Sequence, residues 1–93
     1  MLAKFPTDSA KLTKTDSDRQ VLRLGMIAEL DAIDLYEQLA AATSDKKLKA
    51  VFLDIAREEK THLGEFLALL LDKDKEQVRA LEAGKKEIRE KSG

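Results

Sequence analysis

Along two stretches of this chain, apolar residues return every three or four positions, and an acid stands at the centre of each apolar stripe. With residues placed about 100° apart, Leu22, Gly25, Met26, Ala32, Ile33, Tyr36 and Ala40 all fall within roughly 60° of Glu29. In the second stretch Leu48, Val51, Phe52, Ile55, Leu63, Phe66, Leu69 and Leu70 make one stripe. Glu59 lies about 10° from its centre and His62 about 50° from it. Both periods are helical. The first helix is expected from a Thr15 cap, with acids in its first turn, to about Ala42. Thr43-Ser44-Asp45 is a short break in which Ser44 or Asp45 caps a second helix running to about Leu71. A break this short makes the helices antiparallel neighbours, each of about 26 residues and roughly 39 Å. A third helix, about Asp74 to Lys91, has only Val78, Leu81 and Ile88 as anchors and contains Gly84, so it is expected to pack lightly or to serve in assembly. Residues 1–15, which include Pro6, read as a flexible arm ahead of one all-α unit, 16–93.

Composition narrows the chemistry. In 93 residues there are 43% hydrophobic and 38% charged residues but only four Gly and one Pro, which favours amphipathic helices over a sheet. A chain this short builds only a thin core by itself. The lack of Cys removes disulfides, iron–sulfur clusters and thiolate metal sites. Neither a run long enough to cross a membrane nor a signal peptide is visible, so a soluble cytoplasmic protein is the expectation. A net charge of −1 gives no support for nucleic-acid binding. Charge is uneven, however: the first helix sets Arg23 against Glu29, Asp31, Asp34 and Glu37, a mild attraction for cations.

The polar breaks carry the functional signal. Residues three apart share a helix face, so Glu59 and His62, the chain's single histidine, point together into the apolar side. Glu58 lies about 90° away, at the rim. Unpaired carboxylates in an apolar interior are costly and raise each other's pKa, and a divalent cation removes that penalty. Oxygen and imidazole donors without thiolate suit iron, manganese or zinc. A four-helix di-iron bundle uses one Glu from each of two helices and Glu-x-x-His from each of the other two. This chain holds half of that set, so two copies would complete it. Leu24, Ile27, Ala28 and Leu35 form a further apolar surface, to be covered by the third helix or by another dimer. The competing reading of the same residues is a metal-free helical interaction module, with His62 a hydrogen-bonded core residue and Glu29 paired to Arg57 or Lys60.

The blocks Ile27-Ala28-Glu29-Leu30-Asp31-Ala32-Ile33 and Ala56-Arg57-Glu58-Glu59-Lys60-Thr61-His62-Leu63-Gly64-Glu65-Phe66 resemble the encapsulated ferritins, ferritin-like cargo proteins of encapsulin nanocompartments. The resemblance covers about residues 20 to 90. It implies a two-long-helix chain that dimerises around a di-iron ferroxidase centre and assembles as a decamer of five dimers inside an encapsulin shell. Glu29, Glu59 and His62 would then be the iron ligands, Tyr36 the tyrosine beside the centre, and Asp31 part of an iron access path. Ala28 stands where well-known bacterial members carry an acid, and Leu35 where they carry Trp, which bears on the access path and not on the centre. The family often ends in a short apolar-basic peptide that docks in the shell, and Lys91-Ser92-Gly93 does not match it.

The expectation is therefore a ferroxidase that oxidises Fe2+ with O2 for iron storage or detoxification. A rubrerythrin-like di-iron peroxidase is the alternative chemistry on the same bundle, although the Cys-based module of rubrerythrins is missing.

Overall fold

The computed structural model describes residues 14–92. The proposed arm, apart from its last two residues, lies outside that range. Three helices follow in order: α1, Lys14–Ala42; α2, Lys46–Lys73; and α3, Lys75–Ser92. No strand occurs among the described residues, so the chain is all-α as expected. α1 and α2, of 29 and 28 residues, pack antiparallel as a hairpin. α1 begins at Lys14, so Thr15 lies inside its first turn and does not cap it. Asp45 is the cap of α2: its Oδ1 accepts from the backbone amides of Lys47 and Leu48 at 2.9 and 3.0 Å. Those amides have no partner within the helix, and the aspartate supplies one.

α2 runs two residues past the expected Leu71, because the break is not the whole Asp72–Asp74 segment but Asp74 alone. Asp74 is buried, and it ties all three helices together. Its Oδ1 accepts from the Gln77 amide at 3.0 Å, capping α3, and its Oδ2 accepts from Arg23 Nη2 of α1 at 2.9 Å. Arg19 Nε meanwhile donates to the Lys73 carbonyl at 2.8 Å, satisfying one of the free carbonyls at the end of α2. These bonds hold the Asp74 carboxyl below its ordinary value of 3.8, the Gln77 amide first and the two arginines after it. Beyond this junction α3 buries nothing.

Among the described residues only Ile33, Ala40, Ala56 and Leu70 are buried apolar residues. The radius of gyration, 16.9 Å, compares with about 12 Å for a compact globule of this length. The chain is thus an open hairpin with a projecting third helix, and many of its large apolar side chains are exposed. They fall on two faces. In an antiparallel pair, residues displaced in the same angular sense from the contact line lie on the same face. One face carries Val21, Leu35, Leu39, Val51 and Leu69, between 37% and 51% exposed. The opposite face is an open apolar groove lined by Met26, Ile27, Leu30, Leu67 and Leu70 where α3 leaves the hairpin. The further apolar surface expected on the first helix is therefore divided, with Leu35 on one face and Ile27 on the other, and α3 covers neither.

Candidate metal centre

The site lies midway along the hairpin, where α1 presents Glu29 and α2 presents Glu59 and His62. Each of the three residues offers a ligand atom within 4.8 Å of the others. His62 Nδ1 lies 3.6 Å from Glu29 Oε2 and 3.6 Å from Glu59 Oε2. Those separations are too long for hydrogen bonds and short enough for one cation to sit among the donors. The carboxylates are largely withdrawn from solvent, at 16% and 19% exposed, while the imidazole is 47% exposed. The donors therefore form a cup that opens on the same face as Val51 and Leu69.

Electrostatics fit a cation position better than a finished core. Oε2 of Glu29 is buried with no hydrogen-bond partner, an arrangement seldom left without a ligand, ion or water. The Glu29 carboxyl is pushed above its ordinary 4.5, by the neighbouring Glu59 carboxyl first and then by burial, with His62 pulling the other way. The cations that could have neutralised Glu29 face elsewhere. Arg57 pairs with Asp54, and Lys60 pairs with Glu37 at 3.2 Å.

Of the other residues singled out by sequence, Tyr36 stacks on Phe52, with ring centroids 6.4 Å apart and planes 19° apart, one side of the site along the hairpin. Asp31 is half-buried and Glu58 exposed, and neither joins the cluster of three. Three residues that matter to this arrangement carry no signal in the sequence. Arg23 and Asp74 are 51 positions apart and carry no shared motif, and Gly25 counted only as a small stripe residue.

Comparison with known proteins bears on this arrangement. Residues 4–84 match the profile of the EncFtn-like family. The chain belongs to that family, the encapsulated ferritins. It is 54% identical over 74 residues to a ferritin-like–encapsulin shell fusion protein of Pyrococcus furiosus, a match that covers 80% of this chain and 21% of that protein. It is 38% identical over 68 residues to the encapsulin nanocompartment cargo protein EncC of Myxococcus xanthus, covering 73% of this chain and 52% of the relative. The chain thus spans about a fifth and about half of the lengths of these two relatives. The crystal structure of the encapsulated ferritin domain from Pyrococcus furiosus superposes with a TM-score of 0.84 at 47% identity, covering 97% of this chain and 94% of that one. The encapsulated-ferritin resemblance read from the two sequence blocks is borne out, and with it the helical architecture.

Proposed function

We propose that two copies of this chain form one ferroxidase centre, with Glu29, Glu59 and His62 of each copy as ligands of a pair of iron ions. The observation that carries the reading is the orphaned, buried Oε2 of Glu29 facing the imidazole and second carboxylate of a neighbouring helix. Oxygen and nitrogen donors with no thiolate suit Fe2+ as substrate, and such a site oxidises it to Fe3+ with O2 as acceptor. Three donors from one chain fall short of what two ions need, and a second hairpin laid face to face supplies the rest.

The protein's own part is geometric and electrostatic. Glu29 and Glu59 bring negative charge to a place shielded from water, where it acts more strongly on a cation than at the surface. His62 supplies a nitrogen ligand at the seam. Exposed Val21, Leu35, Leu39, Val51 and Leu69 surround that seam, so the surface that needs burial and the half-site that needs completion coincide. Burying such a face in a four-helix bundle also supplies the core that one hairpin lacks.

The names of the two curated relatives support a cargo role: iron handled within an encapsulin compartment, with the shell protein as partner. A ring of five such dimers is the assembly proposed here, with the second apolar face, around Ile27 and Leu30, available for contacts between dimers. No helix among the described residues is long and apolar enough to cross a membrane. The test is oxidation of Fe2+ in air by the full chain and by Glu29→Ala, Glu59→Ala and His62→Ala. Each substitution is expected to abolish turnover above the protein-free rate, and a variant that oxidises iron as fast as wild type would overturn the assignment.

A further inference from the structure

Every described aromatic ring of this chain flanks the three-residue cluster. Phe52 and Phe66 stand seven residues before and seven after Glu59, two helical turns each way, and Tyr36 stacks on Phe52. The two ends are built differently. At the Phe52 end two rings face each other across the hairpin. At the Phe66 end α1 offers Gly25, one turn before Glu29, and Phe66 lies one turn after His62.

The contact at this second end is tight. A Cβ at position 25 would stand 3.3 Å from both Cδ2 and Cε2 of Phe66, and 3.8 Å from its Cγ. That is closer than nearly all side-chain contacts of this kind, so the rigid ring would have to yield by a few tenths of an ångström. Gly64 and Gly84, by contrast, would meet nothing within 4 Å. With the Tyr36–Phe52 stack at the other end, a Phe66 ring pushed away from α1 would widen the helix pair at this end of the cluster. The Glu29–His62 separation of 3.6 Å spans that gap.

We propose that Gly25 is a positioning residue: its missing side chain seats the Phe66 ring against α1 and so sets the distance between Glu29 and His62. The inference rests on the reading of Glu29, Glu59 and His62 as metal ligands. Because the pair is one of size complementarity, shrinking Phe66 should undo the effect of enlarging Gly25.

The experiment compares full-length wild type, Gly25→Ala, Phe66→Leu, the double variant and Gly64→Ala. Zn2+ affinity is measured by calorimetry and Fe2+ oxidation by its initial rate in air, with helicity and mass in solution as controls. Gly25→Ala should weaken Zn2+ binding and slow oxidation about tenfold, since sub-ångström misplacement of a reacting group is felt strongly. The double variant should return both to within about twofold of Phe66→Leu alone. Gly64→Ala, which gains the same helix propensity without a contact, should match wild type. A merely structural role would change thermal stability and leave Zn2+ affinity alone. Gly25→Ala with wild-type affinity and rate, or a double variant no better than Gly25→Ala, would overturn the proposal. Wild type that binds neither Zn2+ nor Fe2+ would overturn the metal-centre reading and this inference with it, whereas normal metal binding by both wild type and Gly25→Ala removes only the inference.

Discussion

His62 Nδ1 of α2 lies 3.6 Å from Glu29 Oε2 of α1, and the carboxylate oxygen has no hydrogen-bond partner of its own. This spacing, held inside a hairpin with Glu59 beside it, is one that a single cation could bridge. Its consequences are measurable.

Without metal, Glu29 is a liability to the fold. Its raised pKa means that ionisation opposes folding, a cost that appears as pH rises above the ordinary 4.5. Glu29→Leu should therefore stabilise the metal-free protein at neutral pH by about 1 kcal/mol, the scale of removing an unsatisfied buried polar group. It should also abolish stabilisation by added metal. Urea unfolding with chelator and with Zn2+ checks both, and a less stable Glu29→Leu chain without metal would speak against an unpartnered carboxylate.

Val51 is half exposed on the face where the donor cup opens. Val51→Asp should leave the helix content of the hairpin unchanged while lowering the mass in solution and suppressing iron oxidation. A charge at that position is tolerable in a lone hairpin and costly inside a bundle. Circular dichroism beside light scattering separates the two effects. Retention of wild-type mass would place the dimer interface elsewhere.

Acid should release α3 before it melts the hairpin. Asp74 has a depressed pKa, so its contribution is fully present above the unfolded value of 3.8 and is lost as pH falls through the folded value. Below about pH 4 the cap on Gln77 and the tie to Arg23 weaken together. Hydrogen exchange along α3 should rise in this window in wild type. In Asp74→Asn, which lacks the titrating group, exchange should already be raised and change little with pH. At the other connection Asp45→Ala should cost about 1 kcal/mol, through loss of the cap on the Lys47 and Leu48 amides.

Much of this was legible in the sequence, because it rests on local periodicity. The choice of Glu59 over Glu58 as the companion of His62 follows from a 100° step alone, and the structure places Glu59 inside and Glu58 outside. The position of Glu29 opposite them follows from a short Thr43–Asp45 turn joining equal helices. Periodicity could not say which apolar residues meet inside the chain and which wait for another. Leu48, Val51 and Leu69 belong to the same stripe as Leu70, yet they are half exposed while Leu70 is buried. A stripe wide enough for two neighbours looks the same as a stripe for one. Nor could it find the Arg23–Asp74 tie or the Gly25–Phe66 contact, which depend on how residues far apart in sequence are brought together.

The oxidant is a separate question from the site. With the same protein, Fe2+ oxidation should proceed in air without added peroxide. A chain inert in air and active only with hydrogen peroxide would favour a peroxidase of rubrerythrin type.

The central claim is that one metal centre is shared by two chains. Iron content and mass in solution, measured together on wild type and His62→Ala with Fe2+ and with chelator, test it most directly. The account predicts about one iron per chain and a mass that is an even multiple of the chain's when Fe2+ is present, with both lost in His62→Ala. Iron bound at full stoichiometry by a single chain, or an assembly and iron content indifferent to His62, would contradict it.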